Sequence, residues 1–243
     1  MITFLGKTVE NFITSVRYIL SGKMRFRHVL QQASEISYDS LPIALIISII
    51  AAAVITIQVS KQFLMSGADT YIGGTLAVVI IREIAPAFVA LSIGARAGTA
   101  ISAEIANMQV TEQVDAIKTL KVDPVGYYFA PRLVAAGLTV PMVTVIAELA
   151  GILGGMVVAY LTIGLHPNRY ITSVWLWLKT SDFYISIFKA FCFGVIIANV
   201  CATQGYETRG GAKDVGISTT QAAIKSTIYL LIADFIINFL FYL

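Results

Sequence analysis

The chain has 243 residues, of which 57% are hydrophobic and 13% are charged, and its formal net charge at pH 7 is +3. An ordinary soluble domain carries about twice this charged fraction, which excludes a water-soluble globular protein. The small net charge gives no basis for binding nucleic acid. Since the apolar residues come in near-continuous blocks, the composition predicts a polytopic membrane protein.

The N-terminal region, residues 1–40, is predicted to form an interfacial helix and a connector. Residues 4–20 place apolar side chains at helical spacing with polar ones between them, which favours an amphipathic helix along the membrane surface. A helix that packs on a soluble partner is the alternative. A basic patch follows, made of Lys23, Arg25 and Arg27. No cleaved signal sequence is evident, so we expect the mature protein to begin near Met1.

Five apolar blocks are predicted to cross the membrane. In chain order they cover residues 41–64, 72–95, 127–164, 183–203 and 222–243. The third block is too long for one simple crossing, and its prolines leave two options open, one long kinked helix or a helical hairpin. The predicted fold class is therefore all-α, with one membrane domain over residues 1–243.

The distribution of Lys and Arg predicts the orientation. With five crossings and a cytoplasmic N-terminus, most of the 17 basic residues fall on the cytoplasmic side, as the positive-inside rule requires. In a six-span layout residues 127–164 form two helices. This layout distributes the basic residues less unevenly between the two sides of the membrane, and it stays open. Both layouts place residues 96–124 in the cytoplasm.

The segment between the second and third blocks predicts an amphipathic cytoplasmic helix over residues 104–121. Its polar half carries Glu104, Asn107, Thr111, Glu112, Asp115 and Lys118. We expect the apolar half to lie against the spans and the polar half to face the cytosol, where it can bind a partner. A solvated helix without a partner is the alternative. The pair Asp123-Pro124 is expected to end this helix, because the residue before proline disfavours helical geometry.

Arg82 and Glu83 interrupt the second apolar block. An ionisable side chain near the bilayer centre costs at least about 2.5–3.5 kcal/mol, so each is expected to face a polar cavity or a partner. Pro86 cannot donate the hydrogen bond that the Arg82 carbonyl would accept, which predicts a bent and locally polar helix. Arg82 is expected either to bind a lipid phosphate or to pair with Glu148 or Asp234 in another span.

The remaining reactive residue types indicate no catalytic or metal site. His28 and His166 lie far apart in the sequence and outside the apolar blocks, and Cys192 and Cys201 fall inside one block as small core residues. Lys189 is expected to snorkel from the fourth span to the interface. An intramembrane lipid-modifying enzyme and a passive scaffold or channel stay open as alternative functions.

A resemblance to a known family is carried by residues 82–124, REIAPAFVALSIGARAGTAISAEIANMQVTEQVDAIKTLKVDP. This stretch resembles the signature of MlaE-type permeases, the membrane subunits of MCE-associated ABC lipid transporters. The matching elements are RE, P, ARAG, AE, M, TEQ and DP, in that order. A weaker match covers residues 210–235, GGAKDVGISTTQAAIKSTIYLLIADF, which is similar to the C-terminal segment of the family.

The resemblance implies a function and a set of partners. In that family the cytoplasmic helix between the second and third spans is a coupling helix that docks on an ATPase subunit. The family also has five spans with the N-terminus inside, pairs two permeases around a lipid cavity and adjoins MCE-domain proteins. The chain is thus expected to be a non-catalytic permease of a bacterial-type inner membrane that moves phospholipid or a related lipid between membranes. The particular lipid and the direction of transport stay open.

ATP and its Mg²⁺ are expected on the partner ATPase, with no cofactor or metal in this chain. The nearest sequence to a phosphate loop, GYETRGGAKD, lacks the Lys-Ser or Lys-Thr pair that would follow the second glycine. Nucleotide hydrolysis must therefore come from another chain.

Overall fold

In a computed structural model the protein is described over residues 2–22, 24–65, 68 and 71–242, and its regular structure there is entirely helical. Met1, Lys23 of the basic patch and Leu243 lie outside the described residues. In chain order the helices are α1 Ile2–Leu20, α2 Phe26–Ser37, α3 Leu41–Met65, α4 Ile72–Val110, α5 Gln113–Thr119, α6 Pro124–Ile163, α7 Pro167–Trp177, α8 Thr180–Tyr206 and α9 Ala212–Tyr242.

Within the described residues, five helical runs are long and apolar enough to cross a membrane, which confirms the predicted number of spans. The runs are Phe26–Met65, Ile72–Val110, Pro124–Ile163, Thr180–Tyr206 and Ala212–Tyr242. The third is one uninterrupted helix of 40 residues, so the hairpin alternative is wrong. At 1.5 Å per residue it extends roughly 60 Å, about twice the thickness of a hydrocarbon core.

The first span shows how the side chains of α3 are sorted. Its buried positions recur every four residues and are small, namely Ala44, Ser48, Ala52, Thr56 and Ser60. Its large aliphatic side chains point outward instead, namely Ile43, Ile46, Ile49, Ile50, Val54 and Ile57. Small residues allow close helix packing, and large apolar ones are stable against lipid, so this arrangement is the one expected of a helix dissolved in a bilayer.

The N-terminal helix α1 is attached to α8 by polar bonds. Asn199 Nδ2 donates to the Thr8 carbonyl at 2.9 Å, and Asn11 Nδ2 donates to Thr203 Oγ1 at 3.2 Å. Thr8 is buried, whereas five apolar side chains of α1 are exposed, namely Leu5, Val9, Phe12, Ile13 and Leu20. That exposed apolar face fits the predicted location at a membrane surface, which stays a prediction.

The predicted connector contains a second helix, α2, which the sequence pattern did not indicate. Only Val29 and Ile36 of α2 are buried, and so few apolar positions give a weak periodic signal. Arg96 of α4 binds the C-terminal end of α2. The Arg96 guanidinium donates to Asp39 Oδ2 at 3.1 Å, to Ser40 Oγ at 3.0 Å and to the last carbonyls of the helix.

The chain divides into two compact units. The first comprises Met1–Ser40, Ala90–Val140 and Phe191–Leu243, and the second comprises Leu41–Val89 and Pro141–Ala190. The division falls within α4, α6 and α8. The predicted coupling segment belongs to the first unit, and Arg82 and Glu83 belong to the second.

Candidate functional site

Four charged side chains form a cluster inside the second unit, which we call the charge cluster: Arg82, Glu83, Asp182 and Lys189. Arg82 Nε and Nη2 both donate to Asp182 Oδ1, at 3.0 and 2.9 Å. Lys189 Nζ lies 3.2 Å from Glu83 Oε2. Two ion pairs therefore join α4 to α8, and each charge that the membrane disfavours has an opposite charge beside it.

Lys189 makes a second bond that depends on Pro86. Its ammonium donates to the Arg82 carbonyl oxygen at 2.8 Å. In a regular α-helix the Arg82 carbonyl would accept a hydrogen bond from the amide of residue 86. Residue 86 is a proline, which has no N–H to donate. The α4 backbone is irregular here, because Ile80–Ile84 form a π-helical turn in which the Ala85 amide bonds the Ile80 carbonyl; the predicted bend of the helix stays a prediction. The lysine therefore replaces the missing backbone donor.

The partner of Arg82 differs from those that the sequence predicts. The predicted partners were Glu148 and Asp234, whereas the carboxylate beside Arg82 is that of Asp182. Glu148 instead accepts a hydrogen bond from Ser186, and Asp234 lies on α9 in the first unit. Binding of a lipid phosphate by Arg82 stays a prediction.

The expectation that Lys189 snorkels is wrong, because its side chain is fully buried. Snorkelling requires a route along an exposed helix face to the interface. Inside the protein, Glu83 and the Arg82 carbonyl provide the hydrogen-bond acceptors that water would provide for the ammonium at the interface.

Asp182 was missed because the predicted fourth span begins one residue later, at 183. Its carboxylate lies in the first turn of α8, where Oδ2 accepts a hydrogen bond of 3.3 Å from the backbone amide of Lys179. An acidic residue in a first helical turn is a sequence signal for a helix start, and it could have identified this position. The same bond orients the carboxylate, so that Oδ1 remains available to Arg82.

The predicted coupling helix over residues 104–121 is not one helix. Its first part continues α4 to Val110, and its second part is the separate helix α5. Between them Glu112 adopts a left-handed backbone with φ of 62°, and Lys121 beyond α5 has φ of 58°. We call residues 111–123 the elbow. No glycine or proline lies at the break, so the local sequence gave no sign of it.

Asp123 and Pro124 were predicted to end the polar helix. In the structure they lie at the start of α6. The Asp123 carboxylate accepts hydrogen bonds from the amides of Val125 and Gly126, at 3.1 and 3.2 Å. An aspartate that accepts from the first amides of a helix, with proline at the first helical position, is a common start of a helix.

The residues predicted to couple to an ATPase are all exposed. They are Glu104, Asn107, Thr111, Glu112, Asp115 and Lys118. The apolar half of the predicted helix contains both buried and exposed side chains. Ile105, Ala106 and Val114 are completely buried, whereas Leu120 is 74% exposed. A large apolar side chain exposed among charged ones is a feature of protein contact surfaces.

The base of the elbow is fixed by a salt bridge. Arg132 Nη2 of α6 donates to Glu104 Oε2 of α4 at 2.7 Å, and its Nη1 donates to the Tyr128 carbonyl at 2.9 Å. The Arg132 side chain is buried while Glu104 is half-exposed. Glu104 therefore holds α4 to α6 in addition to lying on the exposed surface.

Asp115 and Lys118 form an ion pair on the outer face of α5. Lys118 Nζ lies 2.7 Å from Asp115 Oδ1. The hydrogen bond and the charge of Lys118 lower the pKa of the Asp115 carboxyl, and the hydrogen bond to Asp115 raises the pKa of the Lys118 amine. Both groups are thus charged over the whole neutral range, and α5 presents a fixed pair of opposite charges to solvent.

Comparison with known proteins gives the family. The family profile described as Permease MlaE matches residues 29–240. A probable ABC transporter permease protein of Synechocystis sp. is 38% identical over 225 residues, which cover 93% of this chain and 86% of the relative. The chain belongs to the MlaE permease family.

Two further relatives of this MlaE-family permease come from different lineages. A probable ABC transporter permease protein of Rickettsia prowazekii is 35% identical over 228 residues, covering 94% of this chain and 88% of the relative. The chloroplastic protein TRIGALACTOSYLDIACYLGLYCEROL 1 of Arabidopsis thaliana is 34% identical over 224 residues, covering 92% of this chain and 64% of the relative. The matched region includes both the charge cluster and the elbow.

Proposed function

We propose that this MlaE-family permease is the membrane subunit of an ABC transporter that moves phospholipid or a related lipid between membranes. Family membership and the five membrane-spanning helical runs support a transport subunit. The name of the Arabidopsis relative contains that of a diacylglycerol lipid, which supports a lipid as the transported molecule.

The observation that carries the proposal is the exposed elbow. It combines a charged helix, α5, with the exposed apolar side chain of Leu120, and a buried arginine holds its base. We propose that a separate ATPase subunit, which binds ATP and Mg²⁺, docks here, with Glu104, Asn107, Thr111, Glu112, Asp115 and Lys118 at the contact. The N-terminus and the elbow then lie in the cytoplasm of a cell with a bacterial-type inner membrane.

Helix α4 provides a covalent route from the elbow into the membrane. It runs from Ile72 to Val110 and contains two π-helical turns, Ile80–Ile84 and Gly94–Gly98. Such turns are frequent at functional sites, and helices often kink at them. Movement of the elbow on ATP binding would pass along α4, and a second copy of the chain would complete the lipid cavity. An MCE-domain protein would receive or deliver the lipid on the opposite side.

The test is co-purification of the ATPase with the tagged chain from its native membrane. Leu120→Glu places a charge in the centre of the proposed contact and should abolish both the bound ATPase and ATP-dependent movement of a fluorescent phospholipid in proteoliposomes. Lys213→Glu, another charge change at an exposed position, is the matched control and should leave both unchanged. An ATPase that remains bound to the Leu120→Glu variant would show that the elbow is not the docking surface.

A further inference from the structure

The first unit contains an apolar groove between α1, α8 and α9, with a volume of about 310 Å³. Val9 and Phe12 of α1 form one wall, and Ile232 and Ile236 of α9 form another. These four side chains are between about a third and a half exposed. Along α9 the groove extends from Tyr229 to Ile236, roughly 10 Å, which is enough to hold part of one acyl chain.

A cation lies at one end of this groove. Lys225 precedes the groove residue Tyr229 by one turn of α9, and its Nζ lies 3.8 Å from the centre of the Phe4 ring, next to the groove residue Leu5. The ammonium also donates to Gln204 Oε1. In the described part of the chain no salt bridge includes Lys225. The Glu207 carboxylate also attracts this ammonium, but Lys7 already forms a salt bridge with that carboxylate, so two lysines share one carboxylate here.

A buried polar atom in the groove wall gives independent support for a ligand. Asn199 is only 6% exposed, and its Nδ2 donates to the Thr8 carbonyl. Its Oδ1 is buried and accepts no hydrogen bond from the described residues. A buried acceptor of this kind normally has a partner, so a donor from outside the chain is expected in the groove.

We propose that the groove binds one anionic membrane phospholipid. An acyl chain occupies the apolar groove, the phosphate lies beside Lys225, and a hydroxyl of a polyol headgroup, such as that of phosphatidylglycerol, donates to Asn199 Oδ1. The position of the cation at the end of an apolar channel matches the order of groups in such a lipid, and a phosphate would balance the positive charge that Lys7 and Lys225 retain beside the single carboxylate of Glu207. The lipid would hold α1 against α8 and α9. The site lies within a single copy and does not depend on transport.

The test is native mass spectrometry of the full-length protein, without the ATPase, after titration with phosphatidylglycerol or phosphatidylcholine in detergent micelles. The wild type should retain one phosphatidylglycerol per chain in preference to phosphatidylcholine. Lys225→Gln should weaken this retention by at least about tenfold, since one charge-assisted contact is lost, and Lys225→Arg should preserve it. Lys61→Gln, a charge loss at an exposed residue of the other unit, is the control and should have no effect.

A second variant tests the groove without altering the cation. Ala233→Phe fills the groove, in which Ala233 is a lining residue, and should remove the bound lipid. Equal retention of the two lipids by the wild type, or full retention by either Lys225→Gln or Ala233→Phe, would overturn the proposal. Conversion of a dimer to a monomer by Ala233→Phe, with lipid retention unchanged, would also overturn it and show that a second copy fills the groove. Because no transport is measured, failure here is distinguishable from failure of the proposed function.

Discussion

Replacing Lys189 with Met tests whether this side chain substitutes for the amide that Pro86 lacks. Met is similar in length and has no donor, so the variant loses both the contact with Glu83 and the bond to the Arg82 carbonyl. Pro86→Ala restores an N–H four residues after that carbonyl. In the double variant the carbonyl has a donor again, and only the contact with Glu83 is missing.

The two contributions of Lys189 have different sizes. A buried carbonyl left without a donor costs about 1–3 kcal/mol. Removing one partner of a fully buried ion pair costs about 3–5 kcal/mol, but the Glu83 side chain is 44% exposed, which reduces this contribution to about 1 kcal/mol. Lys189→Met should therefore lower the free energy of unfolding by about 2–4 kcal/mol. In the double-mutant cycle, Pro86→Ala should recover about 1–2 kcal/mol of this loss.

The assay is unfolding in mixed micelles of dodecyl maltoside and SDS, with the wild type, both single variants and the double variant compared under the same conditions. Lys179→Met removes an exposed lysine ammonium and should change the free energy of unfolding by less than about 0.5 kcal/mol. A coupling energy near zero between positions 86 and 189 would refute the reasoning, because it would mean that the ammonium does not serve the carbonyl.

Three further predictions concern the helix contacts and the elbow. Gly205→Ala should destabilise the protein by about a few kcal/mol, because the added Cβ would lie 2.5 Å from a backbone oxygen of α4. In the control Gly216→Ala the added Cβ has nothing within 4 Å, so that variant should be neutral or stabilising. Thermal unfolding of both variants tests this. Glu112→Val should lower the thermal midpoint more than Glu112→Gly, because a β-branched residue at a φ of 62° is strained by about 1–2 kcal/mol. The pKa of Asp115 is lowered, so the stabilisation from this group is present above the usual carboxyl pKa and is lost as the pH falls through the lowered value. The pKa of Lys118 is raised, so its stabilisation is present below the usual amine pKa and is lost as the pH rises through the raised value. The ion pair should therefore persist across the neutral range. In an NMR titration the Asp115 pKa should rise towards its usual value in Lys118→Met, and an unchanged pKa would contradict the pairing.

The spans were predictable because hydrocarbon imposes strong conditions on a sequence. A helix that crosses it needs about 20 mostly apolar residues, and all five blocks met that condition. The choice between one helix and a hairpin for residues 127–164 could not be made from apolarity, since both bury the same residues. The sequence left both options open, and the single helix Pro124–Ile163 decides between them.

The candidate site was only partly predictable. The irregular helix at Pro86 followed from the chemistry of proline, but its donor, Lys189, lies more than a hundred residues away. Asp182 was excluded by a boundary error of one residue. The break at Glu112 carries no glycine or proline, and a helical wheel assumes one continuous helix, so it cannot show where the helix is interrupted.

The sequence by itself determined that this chain lies in a bilayer, which apolar blocks enter it, that Arg82 and Glu83 need partners and that a polar segment joins the second and third spans. These conclusions depend on the transfer of single residues between water and hydrocarbon, which the order of residues specifies directly. Only the tertiary structure decided that Asp182 and Lys189 are those partners and that the polar segment bends at Glu112. Which charges meet depends on how distant helices pack, and side chains far apart in the sequence carry no local record of that contact.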